Sequence, residues 1–202
     1  SPIEQPRHEV KLAPYLIAKY EAWQGMWSRI AGVNPSTNRP GQTVRGTETF
    51  TETNPVESIR WYDAKEVLAR YGLTLPTEAQ WEYAARGGTG ALPEPVDAKG
   101  QPQANYYQGV FPVKNVNTDG YIGRAPVGCF KPNGFGLYDM IGNVWEWTWD
   151  GLDEKSGNRT LRGSSWRDGN RYNRARSTYH LGIPPGTEAT HVGLRIVRDS
   201  GS

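Results

Sequence analysis

Thiols are almost absent from this 202-residue chain, whose only cysteine is Cys129. One cysteine excludes an intrachain disulfide, a cysteine-rich zinc site and a two-cysteine redox pair. Histidine is nearly as scarce. His8, His180 and His191 lie far apart and share no ligand-like spacing. No apolar run approaches the roughly 20 residues that cross a bilayer as a helix. No signal peptide is visible either. The compartment is therefore open, and secretion or surface display after processing is compatible with the chain. Its abrupt start at a strand-like segment reads as a cut inside a longer protein. A large surplus of one charge is also missing, since the formal net charge is +2. Four of the sixteen arginines fall between residues 167 and 176, but no nucleic-acid recognition motif accompanies them, so nucleic acid is not the expected partner.

What the chain has instead is large aromatics and turn formers. Eight tryptophans and eleven tyrosines can build a core of big rings, while 24 glycines and 15 prolines predict many turns and little regular structure. Such a composition suits a loop-rich α+β domain with short strands and two to three helices. No repeat or linker divides the chain, so residues 1–202 read as one domain.

Residues 8–17 partly alternate and predict a strand. Trp23, Trp27 and Ile30 at i, i+4 and i+7 predict a short amphipathic helix ended by Gly32. Residues 61–71 predict a second, with Trp61, Ala64, Leu68 and Tyr71 on one face. In "LPTEAQWEYAARGG", Thr77 and Gln80 form a capping box, and Gly87 and Gly88 stop the helix after Arg86. Residues 89–104 read as a long loop, and 192–197 as a terminal strand. In "GNVWEWTWD", Trp145, Trp147 and Trp149 alternate and predict one buried strand face. Glu146 then points elsewhere and needs a partner. Cys129 is expected to be a small buried hydrophobe.

Several long motifs occur in an order that resembles one family. They are "NPVESIRWYDA", "LPTEAQWEYAARGG", "ANYYQGVFPV", "TDGYIGRAPVG", "PNGFGLYDMIGNVWEW", "LRGSSW" and "VGLRIV". Together they look like the sulfatase-modifying domain of the formylglycine-generating enzymes, from about residue 6 to 198. The resemblance implies a C-type-lectin-related fold. It also implies two structural Ca²⁺ sites, built from the oxygen donors that this hard cation prefers. One would use Asp139, Gly142, Val144 and Glu146, giving Glu146 its partner. The other would use Asn105 and Asp119 with the carbonyls of Tyr106 and Tyr121.

The family's enzymes oxidise a substrate cysteine with a pair of cysteines that bind Cu(I), a soft ion that demands thiolates. Here the turn Gly163-Ser164-Ser165 is followed by a segment with no cysteine, and Asp168 and Asn173 stand where the thiolates are expected. Copper is therefore not an expected cofactor, and formylglycine generation is not the expected activity.

The same fold and ending also resemble the variable proteins of diversity-generating retroelements. In these, adenine-directed mutagenesis rewrites exposed codons near the C-terminus, and the AAY template codons cannot reach Glu, Lys, Gln, Met or Trp. Those five types number 37 in the whole chain, so about four are expected in residues 167–187, which contain none. A plain Gly/Pro/Asn loop is the competing explanation. The resemblance points to residues 163–191 as a candidate variable region that binds a protein or other macromolecule. Tyrosine, tryptophan and arginine suit such recognition. The candidates are Trp166, Arg167, Asp168, Asn170, Tyr172, Asn173, Tyr179, His180 and Leu181. Gly163, Ser165, Ala175, Arg176, Ser177 and strand 192–197 would form their frame. The alternatives are a cysteine-less paralogue that binds sulfatase-like or other protein segments, and an enzyme of different chemistry.

Overall fold

The computed structural model describes residues 9–44, 48–89, 95–152, 155–169 and 179–200. The first strand is shorter than its alternation suggests, and only β1 (Tyr15–Ile17) pairs. It begins directly after Pro14, a residue that has no backbone donor to offer a ladder. Helix α1 (Gln24–Ala31) follows. Gly32 ends it at φ 76°, a conformation that costs glycine little. Two-residue strands β2 (Thr43–Val44) and β3 (Glu48–Thr49) pair antiparallel.

Helix α2 (Trp61–Ala69) buries Trp61, Ala64 and Leu68 as their spacing predicts. Tyr71 lies beyond its end and is exposed. Helix α3 (Glu78–Arg86) carries the expected capping box. Thr77 Oγ1 accepts from the Gln80 N–H at 3.1 Å, and Gln80 Oε1 accepts from the Thr77 N–H at 2.8 Å. Strands β4 (Gly109–Val110) and β5 (Lys114–Asn115) form a small hairpin.

The remaining strands are β6 (Trp145–Gly151), β7 (Arg159–Arg162), β8 (His180–Ile183), β9 (Val192–Leu194) and β10 (Val197–Asp199). Four of them make one sheet in the order β8-β7-β6-β9, with only β9 parallel to its neighbour. The single strand expected over 192–197 is thus two strands in different sheets, because β10 leaves to pair with β1.

The core lies against β6. Trp145 and Trp147 are 1% and 0% exposed, but Trp149, expected on the same face, is 40% exposed. The β6–β7 register shifts between Trp147 and Gly151, which ends the simple alternation. Trp149 lies instead against Trp61, 5.5 Å away. Glu146 and Thr148, on the opposite face, are also buried. Strand β6 is therefore enclosed on both sides over its first half, and α3 reaches it through Trp81.

Candidate functional site

Glu146 has a protein partner. Arg195 donates to its carboxylate from Nη2 to Oε1 at 2.8 Å and from Nε to Oε2 at 3.1 Å, and both residues are fully buried. Trp81 Nε1 adds a third donor at 2.5 Å to Oε2. The rest of the guanidinium is satisfied by the carbonyls of Ala18 and Tyr138 at 3.0 and 2.8 Å. A buried ion pair holds only when its remaining donors are bonded, and here they are. Arg195 sits just after β9, and its turn inward separates β9 from β10.

Both Glu146 oxygens face the Arg195 guanidinium, and Glu146 and the other expected Ca²⁺ carboxylate, Asp139, lie close enough to Glu21 for their charges to act on it. Asp139 accepts from the Gly128 N–H at 2.6 Å, and Glu21 accepts from Val144 N–H and Asn143 Nδ2 at 3.1 and 2.6 Å. Burial pushes Asp139 up to about 6, with Glu146 adding to the effect. Burial and then Asp139 raise Glu21 in the same way.

The second expected set folds as a capped loop. Asp119 Oδ1 accepts from the Tyr121 N–H at 3.1 Å and Oδ2 from the Tyr106 N–H at 3.2 Å. Asn105 directs its Nδ2 to Gly123 O and Asn143 Oδ1 at 2.7 and 3.1 Å. Among the described residues, no group of three His, Cys, Asp or Glu is placed to hold a metal ion.

The loop after β7 shows how the candidate surface is held. Gly163 has φ 96°, and a Cβ there would lie 3.1 Å from the Trp81 ring. Ser164 follows at φ 72°, unusual for a residue with a side chain. Ser165 Oγ then donates to Asp168 Oδ2 at 2.6 Å, and Trp145 Nε1 donates to the same oxygen at 2.8 Å. The Asp168 carbonyl accepts from the Tyr107 N–H at 3.1 Å. Asp168 therefore belongs to the frame and is not a freely offered contact. Trp166 is half-buried, with an indole N–H that has no acceptor. Arg167 is exposed and its guanidinium carbon lies 5.9 Å over the Trp166 ring.

Tyr179 joins this group, its ring 5.9 Å from that of Trp145. Both Tyr179 and Leu181 pack on the main core, and Leu181 also pairs with Leu161 in the sheet. His180 points to α3, where its Nδ1 lies 3.2 Å from Glu78 Oε2. Burial alone would raise the Glu78 carboxyl, but His180 and Arg162 hold it below its usual range. Asn170, Tyr172, Asn173, Ala175, Arg176 and Ser177 lie outside the described residues.

Three residues near the loop escaped the sequence reading. Tyr107 reaches it through a bridge to Gly169 and meets Phe111, which is 42% exposed, edge to face. His191 Nδ1 is buried without a partner, and its pKa is lowered by burial first and then by Arg167. Trp145 read as pure core, yet its indole N–H sets Asp168. No local pattern announces these long-range contacts. Cys129, by contrast, is exposed and not the buried hydrophobe expected; it follows Gly128, at φ 81°, where a Cβ would run into the Tyr20 ring.

Residues 2–200 match the model of the sulfatase-modifying factor enzyme 1-like domain, and the chain belongs to that family. It is 38% identical over 186 residues to the inactive C-alpha-formylglycine-generating enzyme 2 of Bos taurus, covering 88% of this chain and 58% of that protein. It is 50% identical over 101 residues to the formylglycine-generating enzyme of Mus musculus, covering 48% of this chain and 27% of that protein. The chain thus spans well under two thirds of the length of these relatives. Treponema denticola variable protein 1 has the same fold, with a TM-score of 0.73 and 24% identity over 92% of this chain and 84% of that one.

Proposed function

We propose that this chain is a non-catalytic family member that binds a macromolecular ligand through the surface between residues 163 and 191. The observation that carries the reading is the bonding of Asp168. A carboxylate stands where the copper chemistry needs a thiolate, and two donors from Trp145 and Ser165 fix it in the frame. The only thiol in the chain is exposed on another loop. The name of the bovine relative, an inactive enzyme, supports the same direction. The two structural Ca²⁺ sites that the resemblance implies, around Asp139 and Glu146 and around Asn105 and Asp119, belong to this proposal as supports of the loops and not as part of the ligand surface.

The absence of Glu, Lys, Gln, Met and Trp from residues 167–187 favours a finer form of the reading, in which the surface is diversified by a retroelement. Two experiments separate these statements. Oxygen consumption with Cu(I) and a CxPxR peptide should stay at background, and turnover would overturn the non-catalytic reading. A near-identical template repeat with adenines at these codons, beside a reverse transcriptase gene, is the expected genomic finding for diversification. A fixed gene beside a sulfatase would replace it with the cysteine-less paralogue.

A further inference from the structure

Away from the candidate surface, one stretch of backbone has nothing to bond to. Among the described residues, Glu9, Val10, Lys11, Leu12 and Ala13 offer their backbone groups to no hydrogen bond, and β1 begins to pair with β10 only at Tyr15. Val10 and Leu12 line a cleft of about 590 Å³ together with Tyr83, Phe135 and Leu137. The rings of Tyr83 and Phe135 meet there, 5.5 Å apart. Val10, Tyr83 and Phe135 are 47%, 54% and 45% exposed, which leaves an apolar patch open to solvent. Lys11, between the two aliphatic residues, is exposed and does not line the cleft, as strand-like alternation requires.

An unpaired backbone edge beside apolar side chains fits another strand. The charges on it indicate which. Glu9 and Lys11 are both exposed and take part in no ion pair among the described residues. Antiparallel pairing of this edge with the same edge of a second copy is two-fold symmetric. Only registers that keep Val10 and Leu12 on the cleft side cover the apolar patch. Centred on Val10, such pairing sets Glu9 against the second copy's Lys11 twice, and Val10 against Val10. Centred on Lys11, it would set lysine against lysine. Pro14, which has no N–H to offer, ends the free edge. We infer that this edge is a self-association surface, separate from residues 163–191. Two copies of the chain pair antiparallel through residues 9–11, with Leu12, Tyr83 and Phe135 covered beside the paired strands. Lys11 guards the edge against strands that bring no matching acid.

Sedimentation equilibrium of the whole chain, from micromolar to millimolar concentration, tests this and should show a monomer passing into a dimer. Lys11→Glu sets like charges together at both symmetry-related pairs and should weaken the dimer by about tenfold or more, as should Glu9→Lys. Combining the two restores both pairs and should restore the dimer. Both positions are exposed, so these variants should keep the parent's Tm. Leu12→Asp should leave a monomer, while Val33→Asp, at an exposed residue of a different cleft, should change nothing. A parent chain that stays monomeric, a double variant no better than Lys11→Glu, or equal effects of Leu12→Asp and Val33→Asp would each overturn the inference. Hydrogen exchange places the contact: amides within residues 9–11 should gain protection as the dimer forms, and protection confined to another face would refute it. A monomer that binds an alternating Val-Glu peptide through this segment would assign the cleft to a foreign strand and refute the second copy.

Discussion

Two carboxylates in this fold accept a hydrogen bond from a tryptophan indole, and their surroundings differ in kind. Glu146 meets Trp81 in the interior, where Arg195 closes the charge and the carbonyls of Ala18 and Tyr138 close the guanidinium. Asp168 meets Trp145 in the loop that follows β7, but the arginine next to it stays exposed and outside any described ion pair. The first arrangement is complete, so it holds strands together and offers nothing to a ligand. The second fixes the loop beside an exposed arginine, Arg167.

Breaking the complete pair should give the largest effect. Arg195→Met leaves Glu146 buried without its counter-charge, beside Glu21 and Asp139, and should cost about 3–5 kcal/mol in urea unfolding. Adding Glu146→Leu should recover much of that loss, because an apolar pair replaces an unpaired charge. A double variant no more stable than Arg195→Met would show that the pair is not the source of the effect.

Asp139 sharpens the comparison in the opposite direction. Its carboxyl titrates at about 6 in the fold, against an ordinary 3.8. The native state therefore holds this proton more tightly than the unfolded chain. The stability it contributes is present below about pH 4, lost as pH rises through about 6, and absent at pH 7. Asp139→Asn should accordingly stabilise the protein at pH 7, by about 1–3 kcal/mol on the scale of that shift, and make little difference at pH 4. A Ca²⁺ ion bound at Asp139 would reverse the sign: the substitution would then destabilise, and EDTA would lower the Tm.

These contacts explain which parts of the architecture were legible in the sequence. The capping box at Thr77 and Gln80 and the stop at Gly87 depend on residues a few positions apart, so they could be read directly. The family motifs carried the fold for the same reason, being long and ordered. The partner of Glu146 could not be read this way, since Arg195 lies 49 positions away and only the sheet brings it in. Trp149 was misjudged because a register shift in β6 has no signature in alternating tryptophans. At the candidate surface, the arginines and the absence of thiols were visible, but the division of labour was not. Asp168 and Leu181 serve the frame, His180 belongs to α3, and His191 enters from another strand's approach.

A smaller effect should follow from opening the loop arrangement at Asp168. Asp168→Ala removes the acceptor of the Trp145 indole and the Ser165 hydroxyl together, leaving a donor in a ring that is 1% exposed. The expected loss is about 1–3 kcal/mol, the usual cost of an unsatisfied buried donor, with Asp168→Asn recovering part of it. An Ala variant as stable as the parent would mean that the loop is held without this carboxylate, and the contrast with Glu146 would lose its basis.

Cys129 should define the low end of the scale, because it is exposed and lies on neither carboxylate's network. Cys129→Ala is expected to shift stability by less than about 0.5 kcal/mol, as for most surface changes, and the native thiol should react readily with a disulfide reagent. Its local effect is more specific. The hydrogen bond to Cys129 is the main cause that pushes the Tyr121 phenol up to about 12, with burial adding to it. In the alanine variant, Tyr121 should ionise nearer its ordinary value of about 10, visible as an earlier rise in phenolate absorbance. An unchanged titration would place the tyrosine's constraint in the surrounding loop, where burial and the neighbouring acids Glu48 and Asp119 also act on it.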